Sequence, residues 1–355
     1  MRVLMDVLSP KMAMVAVKLR EALLSRGFQV QLVARRQTQT LDLLDMFGVP
    51  YEVIGRYGGA SLKDKLKFEM EREREFLRMF EDEPPDVVWS KGSVSAFRVA
   101  FGLRIPIVCN NDTPHNEPVV RLTVPLVDRL LIPEPFEKRE WARFGIDLRR
   151  ITKYKGLEEV AWMREVRADR RNALVNVSGG SIDQADRLIV IRGVEYKSSY
   201  YHGGMDISSL LPELAEIATV VYIPRYEEDI RVATKVKGVI IPRRVPYAPE
   251  LLASADLVIS SGGTMGTEAA LAGTPTVIYH FWTPSAKYLQ RKGFPVWKRT
   301  SPSEVLRLSS KILRDPDRYR KDTREKLKRM ESPIPKLVDL IKAVVDEGFR
   351  RSERR

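Results

Sequence analysis

The stretch Leu257-Val-Ile-Ser-Ser-Gly-Gly-Thr-Met-Gly-Thr-Glu-Ala-Ala-Leu-Ala-Gly-Thr-Pro-Thr-Val-Ile-Tyr279 reads as strand, glycine turn, helix, turn and strand. Leu257 to Ile259 is short, apolar and β-branched, as a buried strand requires. Ser260 to Thr264 is small, so main-chain amides can come close to a ligand. Met265 to Ala272 favours helix, Gly273 suits its end, and Pro275 prevents its continuation. The first amides of such a helix lack intrahelical partners, and the macrodipole adds partial positive charge. The expected product is an anion site at the turn, most naturally for phosphate.

Working outward, the same alternation fills the chain. Strands are expected at 187–192, 219–223, 238–242, 256–260 and 275–279, with helices at 207–217, 227–234, 247–253, 265–272 and 284–291. In the first half, strands are expected at 2–7, 28–34, 51–54, 86–90, 106–110 and 128–132. Helices there fall at 11–26, 39–47, 62–81, 94–102, 118–124 and 136–143. Alternation of this kind implies parallel sheets covered on both faces. The expected fold class is α/β, with two facing doubly wound, Rossmann-like domains. The expected boundaries are an N-terminal domain at 1–165, a charged linker at 166–186, a second domain at 187–315 and a helical tail at 316–355. Ile334, Leu337, Val338, Ile341, Val344 and Val345 give that tail an apolar stripe suited to docking on the N-terminal domain.

The pattern Gly-Gly-Thr, Glu-Ala-Ala, Gly-Thr-Pro across 262–275 resembles the nucleotide-sugar loop of GT-B glycosyltransferases and the corresponding loop of UDP-N-acetylglucosamine 2-epimerases. The resemblance implies that Ser261, Gly262, Gly263 and Thr264 meet a diphosphate and that Glu268 meets the ribose. Further stretches agree: Asp6–Lys11, Lys91-Gly-Ser93, Asn111-Asp-Thr-Pro-His115, Tyr154–Glu158, Val190–Tyr201 and Ile223–Tyr226. Taken in order, they resemble an archaeal family catalogued as a domain of unknown function (number three-five-four), itself GT-B-like. The sequence departs from that family's pattern at Lys91, where His is frequent, and at Gly193, where Pro is frequent.

Several residues stand where strand ends place ligands. Asp112 and His115 follow the strand ending at Asn110, and a carboxylate with an imidazole suits proton transfer; the alternative is an Asn-Asp-Thr-Pro turn capped by His115. Arg192 and Arg225 end two strands of the second half and form a candidate diphosphate clamp, because guanidinium reads phosphate bidentately. By GT-B resemblance, the loop of Arg243, Arg244 and Val245 passes the base, and Asp6 and Lys11 serve the acceptor side. Ser93 either binds a hydroxyl or caps the helix it opens.

Composition narrows the class. Apolar residues make up 44%, ordinary for a globular protein. Cys109 is the single cysteine, and there are three histidines, so neither a disulfide nor a His/Cys metal centre is expected. No cofactor or metal is expected. The Met1–Val7 segment reads as a strand rather than a signal peptide, and no apolar run reaches the ~20 residues of a membrane span. The expected location is cytoplasmic, and the abundance of charge with few amides and one thiol suits a thermophile. Net charge of +13 invites nucleic acid, but no nucleic-acid motif accompanies it, so that binding is not favoured.

The expected function is metal-independent glycosyl transfer from a nucleotide diphosphate sugar, a UDP-sugar first among them, bound in the cleft between the domains. Asp112 or His115 would deprotonate the acceptor. The rival is epimerisation of a UDP-N-acetylhexosamine, with Asp112, Glu117 and Glu158 as available carboxylates. The acceptor remains open and includes a lipid-linked sugar, because helix 62–81 carries Leu62, Leu66, Met70, Leu77 and Phe80 beside several bases. That helix either turns its apolar side to the core, with Glu69, Glu71, Glu73 and Glu75 balancing its bases, or rests on an anionic membrane face. Arg350, Arg351, Arg354 and Arg355 add to the second reading.

Overall fold

Val3, Leu4, Met5 and Val7 are fully buried, as a central parallel strand requires, and they pair on both sides. Strand β1 (Arg2–Val7) leads into helix Pro10–Leu24, whose first turn is capped by Ser9 accepting from the Met12 amide. The next strands are β2 (Gln29–Arg36), β3 (Glu52–Arg56), β4 (Val87–Ser90), β5 (Ile107–Asn110), β6 (Arg129–Pro133) and β7 (Ile151–Tyr154). They form one parallel sheet in the order β3-β2-β1-β4-β5-β6-β7. The second sheet contains β8 (Leu188–Arg192), β9 (Thr219–Ile223), β10 (Val239–Ile240), β11 (Leu257–Ser260), β12 (Thr276–Ile278) and β13 (Val296–Lys298). Its order is β10-β9-β8-β11-β12-β13, again all parallel. Both sheets are doubly wound, with the strand order reversing at β1/β4 and at β8/β11. The structure is a computed structural model that describes all residues except 60, 197–202, 204, 244–245 and 353–355, and omits the side chains of 348–352.

The sheets belong to two compact units, Met1–Ala161 with Met330–Arg355, and Trp162–Arg329. In the first unit, Phe76, Phe80, Phe97, Ile107, Leu130 and Trp141 fill one face of the sheet. On the other, helix Pro333–Ser352 packs against helix Pro10–Leu24 and buries Leu337, Val338, Ile341, Val344 and Val345. In the second unit, Leu211, Leu214, Val305 and Ile312 cover one face, and Leu174, Leu251, Leu252 and Ala269 the other. Among the described residues, no helix is long and apolar enough to cross a membrane.

The structure differs from the sequence expectation in four places. The expected linker at 166–186 holds helix Arg170–Ser178, which buries Ala173, Leu174 and Val177 in the second unit. Asp169 caps it, Gly179 ends it in the left-handed region, and Arg170 pairs with Asp256 at 2.7 Å. Charge there marks a half-buried helix rather than a free segment. The expected tail divides at residue 330: Arg320, Lys321 and Thr323 bond to the main chain of 253, 273 and 271 in the second unit, and the helix from Pro333 belongs to the first. Strands β7 and β13 were not expected; each is an edge strand, one partly polar (Ile-Thr-Lys-Tyr) and the other three residues long. Finally, helix Leu62–Asp82 turns Arg72, Phe76 and Phe80 inward and leaves Leu62, Leu66, Met70 and Leu77 in solvent.

Gly273 joins the central helix of the opening motif to β12 at φ 80°, and a Cβ there would lie 1.9 Å from the Lys321 carbonyl oxygen. Gly273→Ala should therefore lower stability by ~2 kcal/mol or more, since both the backbone region and the clash oppose it. Chemical denaturation of the two proteins side by side measures the difference.

Candidate active site

The first switch point, at β1/β4, gathers charge. Lys11 stands in the first turn of helix Pro10–Leu24, Lys91 directly follows β4, Asp112 follows β5, and Glu158 and Glu159 follow β7. Lys11 bridges Asp112, Glu159 at 2.7 Å and Glu158 at 3.2 Å. Lys91 bridges Asp112 at 3.0 Å and also pairs with Glu158. Glu158 and Glu159 are almost wholly buried. A buried network holds Glu158: the Trp89 indole donates to Asn110 Oδ1 at 3.0 Å, and Asn110 Nδ2 donates to Glu158 Oε1 at 2.6 Å. Asn111 fixes the adjoining turn by donating to the Lys91 carbonyl and accepting from the Thr113 amide.

Three carboxylates thus face two ammoniums, and the environment sorts them. Burial works against the Asp112 charge, but Lys11 and Lys91 outweigh it and hold its carboxyl well below the usual range. Burial likewise opposes the Lys11 charge, and Asp112, Glu159 and Glu158 outweigh it, raising the ammonium well above its usual value. Burial pushes Glu159 up, Lys11 opposing and the neighbouring acids reinforcing it. Two carboxyl groups with oppositely displaced proton affinities in one site are the pattern of acid–base chemistry. His115 is exposed nearby; desolvation of its ring lowers its pKa against the pull of Asp112 and Glu140, so it remains neutral near pH 7.

Asp6 does not join this cluster. It is fully buried and accepts from Arg72 Nη2 at 2.7 Å, while Arg72 Nε donates to the Ile54 carbonyl. Ser93 caps helix Val94–Gly102, accepting from the Ala96 amide at 3.1 Å.

The second switch point, at β8/β11, gathers main-chain amides and guanidinium groups. Gly262 has φ 113°, and a Cβ there would lie 2.3 Å from the Phe281 carbonyl oxygen. Gly263 has φ 76° and stands at the N-cap of helix Thr264–Leu271. The Thr267 amide is the donor to the Gly263 carbonyl, so the amides of 264–266 precede the first intrahelical bond. Ser260 Oγ accepts from the Gly262 amide, and the Ser261 carbonyl accepts from Phe281. In register with Ser260 across the sheet is Arg192, whose Nη1 donates to the Pro224 carbonyl at 2.8 Å and whose buried Nε has no hydrogen-bond partner among the described residues. The buried Nε of Arg225 likewise has none among the described residues, and its Nη1 lies 3.5 Å from Glu195. Burial, then the Arg225 charge, weakens the proton affinity of Arg192. Two crowded guanidiniums would gain from an anion.

Glu268 is buried in the same helix and accepts from the Trp162 indole at 2.8 Å. Tyr247, at the end of the 243–247 loop, lies close by; burial and then the Glu268 charge raise its pKa to about 12. Arg243 is exposed, whereas Arg244 and Val245 lie outside the described residues. Among the described residues, no cluster of three or more His, Cys, Asp or Glu is placed to hold a metal ion. Sequence reasoning missed Glu159 and Trp162. The run Leu157-Glu-Glu-Val160 signalled the first, since adjacent acids between buried apolar residues are unusual.

Two all-parallel, doubly wound sheets with polar groups at both switch points define a GT-B-like α/β protein. The chain belongs to the family described as "Protein of unknown function (DUF354)", whose model matches residues 4–343. It is 31% identical over 260 residues to the uncharacterized protein MJ0665 of Methanocaldococcus jannaschii, covering 71% of this chain and 73% of that one. Among solved structures it is similar to UDP-GlcNAc 2-epimerase from Neisseria meningitidis bound to UDP-GlcNAc, with TM-score 0.71, 18% identity, and 99% and 100% of the two chains covered. The Methanocaldococcus jannaschii UDP-GlcNAc 2-epimerase in complex with UDP-GlcNAc and UDP gives 0.69, 15%, 92% and 98%. Anabaena Alr3699/HepE in complex with UDP-glucose gives 0.63, 14%, 98% and 99%. At these identities the likeness is one of fold.

The charge cluster makes separable predictions. Lys91→Met leaves three carboxylates facing one ammonium and should destabilise the fold by about 3–5 kcal/mol. Glu159→Gln should be well tolerated at neutral pH. Because the folded pKa of Glu159 is raised, its favourable contribution exists below the unfolded value and is lost as pH rises through the folded one. Denaturation midpoints should therefore move in favour of Glu159→Gln, relative to the parent, as pH rises from acid toward neutral.

Proposed function

We propose that this chain is an enzyme acting on a nucleoside diphosphate sugar, with UDP-sugars as the first candidates. The second unit holds the nucleotide. Amides at Gly263, Thr264 and Met265, with Arg192 and Arg225, take the diphosphate, and Glu268 takes the ribose. The bound nucleotides of the Neisseria and Anabaena proteins support this assignment by fold. The first unit supplies the acid–base groups.

The observation that carries the chemical reading is the split between Asp112, held ionised, and Glu159, pushed toward its neutral form. Inverting C2 of such a nucleotide sugar needs one group to take the C2 proton while the nucleoside diphosphate leaves C1 with the C–O bonding pair, and another group to return a proton to the opposite face of C2 as the diphosphate adds back to C1. The cluster offers both, with Lys11 and Lys91 to neutralise developing negative charge. Epimerisation of the nucleotide sugar is therefore our first reading. Transfer to an acceptor hydroxyl is the second. Asp112 is a weak base in either reading because two ammoniums hold its proton affinity down; Glu159, whose affinity is raised, is the stronger base for epimerisation once ionised, and exposed His115 serves transfer.

Incubation of the full chain with UDP-N-acetylglucosamine in heavy water, without acceptor, separates them. Epimerisation places deuterium at the inverted carbon, and Glu159→Gln should slow this ~100-fold or more. An intact, undeuterated sugar that nevertheless binds supports transfer, and failure of any UDP-sugar to bind sinks both readings.

Binding is checked separately by calorimetry with UDP. Glu268→Ala should weaken it about tenfold or more, the loss of a charged hydrogen bond. Glu268→Gln, which retains a carbonyl acceptor for Trp162, keeps the test independent of folding.

A further inference from the structure

Helix Leu62–Asp82 carries an outer face that nothing in its unit covers. Leu62, Leu66, Met70 and Leu77 are 80%, 65%, 52% and 40% exposed. The first three follow at four-residue spacing, and Leu77 continues the row further along, so they form one stripe along the helix. One position further round stand Lys63, Lys67, Arg74 and Arg78, all exposed. Lys67 reaches Glu71 only at 4.0 Å, and among the described residues no carboxylate ion-pairs with Lys63, Arg74 or Arg78. Of the acids on this helix, Glu71 and Glu75 stay at the surface beyond the cations, and two others are turned elsewhere. Glu69 accepts from Ser95, and Glu73 lies beside Arg98, both on helix Val94–Gly102. Glu81, Asp82 and Glu83 gather at the opposite end of the helix from Leu62 and Lys63.

Stability does not account for the stripe. The core side of this helix is made by Phe76, Phe80 and the buried Arg72, and the exposed leucines add nothing to it. A row of large apolar side chains left in water and flanked by Lys63, Lys67, Arg74 and Arg78 is the arrangement of an interfacial helix. We infer that this face docks on an anionic lipid surface, with Leu62, Leu66, Met70 and Leu77 entering the headgroup boundary and Lys63, Lys67, Arg74 and Arg78 meeting lipid phosphates. The charge points to the occupant: Lys63, Lys67, Arg74 and Arg78 run along the apolar row and complement anionic headgroups. The inference rests on this helix alone and is independent of the reaction proposed above.

Co-sedimentation of the full chain with vesicles tests it. One set is phosphatidylcholine alone, and the other is phosphatidylcholine with phosphatidylglycerol. The chain should pellet with the anionic vesicles at 0.1 M salt and be released at 1 M, as the Debye length falls from about 10 Å to about 3 Å. Lys63→Glu with Lys67→Glu should reduce partitioning at least ~10-fold, at ~1 kcal/mol for each base near the surface. Leu66→Asp with Met70→Asp should reduce it comparably, with far-UV circular dichroism and the melting temperature unchanged because both positions are exposed. Equal partitioning onto phosphatidylcholine alone, no pelleting at low salt, or variants that bind like the parent would overturn the inference. So would a dimer in sedimentation velocity that Leu66→Asp with Met70→Asp dissociates.

Discussion

Burying two lysines and three carboxylates together is the constraint around which the first unit is arranged. Each ion loses several kcal/mol of hydration on leaving water, and only close pairing with further hydrogen bonds offsets the loss. The sheet order supplies that closeness. Because β1, β4 and β5 are neighbours, residues just past their C-terminal ends converge without any long loop. Lys11, Lys91 and Asp112 are such residues, and the turn after β7 brings Glu158 and Glu159 to the same point. The Trp89–Asn110–Glu158 chain then occupies donors and acceptors that burial would otherwise leave unpaired. An excess of one carboxyl over the cations remains, and the raised proton affinity of Glu159 is the response. A structural ion-pair network has no need of that excess, and it is this that supports the proposed proton transfer.

The second unit meets the opposite demand. At that switch point Arg192 and Arg225 each have a buried Nε without a hydrogen-bond partner among the described residues, and Glu195 and Asp229 are acids beside them. The glycine turn beside them is fixed by its own backbone, since Gly262 has a conformation and a neighbour that exclude a side chain. Preorganised amides and underused guanidiniums favour a doubly charged ligand over water. Their rigidity means that a diphosphate would meet donors already in place.

Much of this was legible in the sequence, for physical reasons that differ by element. The strands of both sheet centres announce themselves as β-branched runs because both faces are buried, as in Leu188-Ile-Val-Ile and Leu257-Val-Ile. Edge strands β7 and β13 lack that signal because only part of each is covered. The charged segment around Arg170 reads as linker because its apolar residues are few, although Asp169 and Gly179 mark a capped helix on either side of Ala173, Leu174 and Val177. The glycine turn, Arg192, Arg225, Lys11 and Asp112 could be singled out by their places at or just past strand ends, and Glu268 by the motif resemblance alone. What was not legible is which of them meet one another. That Asp6 pairs with Arg72, sixty-six positions later, follows from the packing of a helix and not from any local pattern.

The same limit explains why the helix at 62–82 reads wrongly from periodicity. A helical wheel finds its apolar side, but a wheel gives no depth. In this helix two different sides are apolar at different heights: Phe76 and Phe80 meet the core near the C-terminal end, while Leu62, Leu66 and Met70 run along the outside of the N-terminal half. The buried Arg72 marks where the faces change over, its guanidinium drawn inward by Asp6 and the Ile54 carbonyl. That inward pull has a cost in desolvation, and the fold accepts it in order to seat the end of β1 beside the charged cluster. The helix is therefore anchored by the polar interior of its unit near Arg72 and by Gly58 and Arg56 against Lys65 and Phe68 in its first half, while its outer side presents leucines and lysines to solvent. A segment selected only for packing would have placed those leucines inward.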